Sequence, residues 1–283
     1  MATKASRRER TTTGDLVRPV AGAFAEHNLL TYAAAIAFQM LIALVPLTLL
    51  GLGVLGATGH KEIWHDHLAP AVQGRVRPPV YHAIDDTVRR ILDHGTAGLI
   101  VVSLALSVWY LTAAMRAVIE ALNQIHDVDD DRAWWHRLAV AVGLGSASGA
   151  ALYGAVLLLL AGPKGVLLGP IRWLGAILVL ALLVGVLVRL APAQRPEASW
   201  ASFGAALVVV SWLVASLLFR LWVTYVADFE SPVGTLTTLL VLTSYLFVSS
   251  VVFLVGVQLD ELLRKSHPSG PRIVDHARAA LRR

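Results

Sequence analysis

Two stretches of the chain bring metal-type ligands close together. The first holds His60, His65, Asp66 and His67. On a helix, residues two apart point to different faces, so His65 and His67 would chelate only in an extended loop. The second, His126-Asp127-Val128-Asp129-Asp130-Asp131, opens like a calcium loop, with Asp at relative positions 1, 3 and 5. Position 6 is Arg132 where such a loop needs glycine, and position 12 is Leu138 where it needs a bidentate glutamate. The spacing predicts a solvated acidic turn paired with Arg132, and no metal. The nucleophile-elbow, phosphate-loop and zinc-protease signatures are missing from the sequence. Cysteine is absent, which removes thiolate metal sites, disulfides and cysteine nucleophiles. No catalytic residue, cofactor or metal is expected. A nuclease in particular has neither a carboxylate cluster for metal nor a credible His pair.

The remaining candidates are polar side chains set against an apolar background. Hydrophobic residues make up 56% of the 283 and charged residues 15%, where soluble domains carry about 25% charged. This much apolar surface has no place in an ordinary soluble fold. The expected class is all-α: a polytopic membrane protein with six spans of roughly 20 residues each. The spans are predicted at about 33–57 (containing Pro46), 97–119, 138–161, 174–191, 200–224 and 235–259. Residues 1–13 read as a disordered basic tail, 14–263 as the membrane domain and 264–283 as a basic cytoplasmic tail. Leu16, Val20 and Phe24 predict an amphipathic helix over 14–30. In the first outer loop, Val80, Ile84, Val88, Ile91 and Leu92 predict a second one after Pro78-Pro79. It would lie on the membrane surface, over the bundle mouth or packed on the bundle.

Lys and Arg fall sixteen on the side of the two termini and seven on the other, with Arg220 uncounted near a span end. The positive-inside rule puts both termini in the cytoplasm, in agreement with an even number of spans. No Asp, Glu, Lys or His falls in the middle third of any predicted span. Proton-driven carriers usually place such groups at mid-depth. Ionisable groups instead sit near span ends: Arg116, Glu120, Arg189 and Arg220. Each either snorkels to the interface or lines a polar vestibule for charged head groups. Arg116 and Glu120 are four apart and share a helix face. Uncharged polar residues, Gln39 and Gln258 among them, suit interhelical hydrogen bonds. Gly145 and Gly149 form one small-residue row, and Ser146, Ala150 and Gly154 a second.

Three strings resemble one family. They are TYAAAIAFQMLIALVPLTLL in the first span, WYLTAAMRAVIEALNQIHDVDDDR from Trp109 to Arg132, and FRLWVTYVADFESPVGTLTTLLVLTSYLFVSSVVFLVGVQLDE at the end. All resemble blocks of the YihY/BrkB family of bacterial inner-membrane proteins, once misnamed ribonuclease BN. The likeness runs from about residue 16 to 263. The chain departs from the pattern at Gln39, where the family has an aromatic, at Gln258, where it has Glu, and at Thr243-Ser244, where it has a Leu-Trp pair. The resemblance implies a six-helix cytoplasmic-membrane protein proposed to move lipids or other amphiphiles. On that reading Gln39, Arg116, Glu120, Asn123, Arg220, Tyr225 and Gln258 are the candidate vestibule contacts. The expected partners are membrane lipids, including anionic head groups, and no nucleic acid. The alternative is a non-transporting scaffold or envelope-integrity factor whose basic tails bind anionic lipid or a partner.

Overall fold

The computed structural model describes residues 22, 24, 26–73, 78–94, 97–161, 168–193, 203–225 and 234–266. Those residues are helical almost throughout. In order they form α1 (Leu29–Ala57), a π-helical turn (Trp64–Leu68), α2 (Ala69–Gln73), α3 (Pro78–His94), α4 (Ala97–Ile125), α5 (Trp134–Ala161), α6 (Leu168–Leu190), α7 (Phe203–Tyr225) and α8 (Gly234–Ser266). Five helices are long and apolar enough to cross a membrane: α1, α4, α5, α6 and α8. The span predicted at 200–224 corresponds to α7, whose shorter apolar stretch is Val208–Trp222, and residues 200–202 lie outside the described residues.

Several helix ends differ from the spans read in the sequence. α4 continues past 119 to Ile125, because Ala121, Leu122 and Ile125 are all fully buried and reward another turn and a half of helix. α8 runs to Ser266, seven residues beyond 259, so the segment assigned to the tail begins in helix. α6 starts at Leu168, before 174. α1 starts at Leu29, just after Asn28, which adopts a left-handed φ of 50°. That conformation is tolerated by Asn better than by most residues and breaks any continuous helix there. Of the amphipathic helix predicted over 14–30, residues 14–21 lie outside the described residues, while Phe24 is buried in the core.

Packing defines two ends of the bundle. Phe24, Leu29, Ala33, Leu122, Ile125, Ala141, Leu187 and Leu254 share one buried cluster. The start of α1, the end of α4, the start of α5, and the ends of α6 and α8 therefore meet at what we call the Asn123 end. At the other, the Trp64 end, Leu52, Trp64, Ala69, Val88 and Leu92 form a second cluster. α1 packs centrally, against α4, α8 and α3. Of the two small-residue rows in α5, only the first packs against other described residues. Gly145 lies against the backbone of α4, where an added Cβ would come 3.0 Å from the Leu111 carbonyl carbon and 3.1 Å from Thr112 N. Ser146, Ala150 and Gly154 are exposed.

The helix predicted in the first outer loop is α3, and it packs on the end of α1. A Cβ at Gly56 would meet the Leu92 carbonyl oxygen at 2.8 Å, so glycine there permits the close approach. The Trp64 indole donates to Asp85 Oδ1 at 2.8 Å, and Arg89 donates to Asp85 Oδ2 at 2.8 Å. Lys61 pairs with Asp93 at 2.7 Å. The Trp64 hydrogen bond holds the Asp85 carboxyl below the usual carboxylate range, against the opposing effect of burial and with help from Arg89. A depressed carboxyl contributes stability above its unfolded pKa and loses it as pH falls through the folded value. Wild-type α3 should therefore keep its hydrogen-exchange protection at neutral pH and lose it only below about pH 4. In Asp85→Asn, protection over 78–94 should be weaker roughly ten-fold or more at neutral pH, the loss of one charged hydrogen bond. A flat, wild-type profile in Asp85→Asn would remove this account of the α3 clasp.

Candidate functional site

α4 presents Arg116, Ile119, Glu120, Asn123 and Gln124 at i, i+3, i+4, i+7 and i+8, which is one helical face. α5 presents Trp134, Arg137 and Leu138 from its first turns, at i, i+3 and i+4. The loop between them supplies Val128, Asp129 and Asp130. Together these residues line a cleft of about 560 Å³ at the Asn123 end.

One wall of the cleft is tied down. Arg132 donates to Asp130 through Nε at 2.9 Å and a terminal nitrogen at 2.8 Å. That pairing holds the Asp130 carboxyl below its ordinary range, outweighing burial. The same guanidinium donates to the Ala191 carbonyl at 3.2 Å, capping the end of α6. Asn123, itself buried, accepts from Ala193 N–H at 2.8 Å and donates to Asp130 Oδ2 at 3.4 Å. The acidic turn thus pairs with Arg132, as its spacing predicts, and the turn, α4 and α6 form one braced corner.

Beside this wall stand charges of a different kind. Arg116, Glu120, Asp129 and Arg137 are exposed. Among the described residues none of the four takes part in an ion pair. Arg116 and Glu120 share a face, as read in the sequence, without pairing. Trp134 is 72% exposed at the rim, next to exposed Trp135 and Leu138. Amphipathic indoles collect at the level of lipid head groups.

The other candidates lie elsewhere. Gln39 is half-buried on α1 and does not line the cleft. Arg220 is exposed near the end of α7. Since Trp212 bonds Ser249 and Ser216 bonds Tyr245, α7 and α8 run antiparallel, which puts Arg220 toward the Trp64 end. Tyr225 closes α7, and its side chain, like residues 226–233, lies outside the described residues. Gln258 is buried on α8, and its Oε1 has no hydrogen-bond partner among the described residues.

One turn beyond Gln258, Glu261 is 2% exposed, and its Oε2 lies 3.7 Å from His126 Nε2. His126 Nδ1 sits 2.7 Å from the Leu122 carbonyl. A carbonyl only accepts, so Nδ1 carries a hydrogen. This buried pair was missed in the sequence. At Gln258 the chain departs from the family's Glu, and the buried acidic group of α8 is Glu261, three residues later.

A family model described as Virulence factor BrkB matches residues 20–280, nearly the whole chain. The chain belongs to the BrkB family. The resemblance read from the first-span, Trp109–Arg132 and closing blocks is thereby established. A curated relative of this BrkB-family chain is the ribonuclease-like protein YfkH of Bacillus subtilis (strain 168). It is 21% identical over 248 residues, covering 82% of this chain and 89% of that protein. No solved structure matches. A BrkB-family chain with five helices long enough to span is a membrane protein.

Proposed function

We propose that this BrkB-family protein is a non-enzymatic, six-span protein of the bacterial cytoplasmic membrane, with both termini inside, that moves lipids or other amphiphiles. The observation that carries the reading is the cleft at the Asn123 end. It joins unpaired charges to an apolar, Trp-bearing rim at one end of a membrane-length bundle. A head group fits the charges and an acyl chain fits the exposed flank of α5. The excess of Lys and Arg on the side of the termini supports a cytoplasmic placing of that end. Support for a non-enzymatic reading comes from the failed ligand spacings at 60–67 and 126–131, so the ribonuclease-like name of the relative is not carried over.

Two measurements test this. In a chain without cysteine, Gln73→Cys should react with an impermeant maleimide in intact cells and Ser266→Cys only after permeabilisation. Labelling of Ser266→Cys from outside would overturn the orientation. In proteoliposomes, wild-type protein should speed dithionite bleaching of inner-leaflet fluorescent phospholipid, and Arg116→Gln/Trp134→Ala should lose most of that gain. Bleaching no faster than in protein-free vesicles would leave a scaffold.

A further inference from the structure

Granting that the cleft receives an amphiphile, we infer that it selects a head group bearing both a phosphate and a primary amine, of the phosphoethanolamine kind. The charges of the cleft divide into two sets. Asp130 and Arg132 neutralise each other and brace the wall. Arg137 adds a further positive charge acting on Asp130, while Arg116, Glu120 and Asp129 take part in no ion pair among the described residues and stay open to a ligand. A purely anionic head group would satisfy Arg116 and be repelled by both carboxylates. A purely cationic one would meet the reverse. A zwitterion satisfies both sets.

The order of these charges along the bundle sharpens the choice. Arg116 lies four residues before Glu120 on α4, so it sits about 6 Å further toward the bundle interior at 1.5 Å per residue. Asp129 comes later still, past the end of α4 at Ile125. On the α4 side Arg116 is therefore innermost, with Glu120 and Asp129 nearer the water. An aminophospholipid in the adjoining leaflet has that arrangement, with its phosphate next to the tails and its amine outermost. The phosphate meets the Arg116 guanidinium, whose paired donors match phosphate oxygens. The ammonium, with three donors, meets Glu120 and Asp129. A quaternary choline has no N–H to give and is held by aromatic cages, whereas Trp134 is the one aromatic among the described lining residues.

The test measures lipid-dependent melting temperature of the full chain in detergent with four probes: dioleoyl phosphatidylethanolamine, phosphatidylglycerol, phosphatidylcholine and water-soluble glycerophosphoethanolamine. Phosphatidylethanolamine should bind with a preference of roughly five-fold over the other two lipids, the scale of two accessible charge contacts. Glu120→Gln/Asp129→Asn should invert this preference in favour of phosphatidylglycerol. Both positions are exposed, so the lipid-free melting temperature should stay unchanged and serve as the folding control. Equal stabilisation by phosphatidylglycerol in wild type, or a preference that survives the double variant, would overturn the zwitterion. If Arg116→Gln left all lipid effects untouched, the amphiphile reading itself would fall and take this inference with it. If glycerophosphoethanolamine matched the intact lipid, the head-group chemistry would stand and its lipid source would be overturned.

Discussion

Truncating either member of the His126–Glu261 pair alone should cost about 3–5 kcal/mol, while replacing both with leucine should cost far less. The reason lies in the surroundings. Both side chains are buried at the junction of α4 and α8, and His126 Nδ1 already gives its hydrogen to the Leu122 carbonyl. His126→Ala removes the side chain that Glu261 Oε2 approaches in the core. Glu261→Ala leaves His126 Nε2 without its contact to Oε2, while Nδ1 keeps the Leu122 carbonyl. A double-mutant cycle on melting temperature in detergent measures the coupling. Additive single losses would show that the two side chains do not act as a unit.

Gly145→Leu should unfold or strongly destabilise the protein, and Gly154→Leu should be silent. The two glycines lie on the same helix, nine residues apart, on different small-residue rows. At Gly145 any Cβ runs into the α4 backbone at Leu111 and Thr112, which cannot step aside as a side chain can. Overpacking of this kind costs about 1–3 kcal/mol and occasionally more. At Gly154 nothing lies within 4 Å of the added carbon, and an exposed substitution is expected to stay within about 0.5 kcal/mol. Yield and melting temperature of the two variants read this directly. Equal loss in both would mean that the second row is packed as tightly as the first.

Hydropathy made the long helices legible, because spans must hide their backbone and carry apolar side chains. Their ends were harder. The stretch from Glu120 to Ile125 mixes polar and apolar residues, and only the burial of Leu122 and Ile125 shows why the helix continues. Arg116, Glu120 and Asn123 were readable as one face since their spacing lies within a single helix. Arg137, Trp134 and Asp129 complete the cleft from another helix and a loop, and spacing within one helix carries no information about that approach. The partnership of His126 with Glu261 joins distant parts of the chain, so no local pattern announces it. Arg220 is the strongest single candidate in the sequence, yet the antiparallel run of α7 and α8 separates it from the cleft.

The core at the Asn123 end has a consequence for how the chain is made. Phe24 and Leu29 come early, and Leu254 and Val257, which complete the same cluster, come late. At roughly 5–20 residues per second, some ten to fifty seconds of synthesis separate them. From the completion of α4 onward, α1 and α4 hold an apolar cup without its last wall, and His126 waits without Glu261. Whatever chaperones the nascent bundle must cover that cup until α8 arrives. Among the described helices α8 is therefore the closing one, and a stop codon anywhere before Leu254 produces an open bundle with its core unsealed.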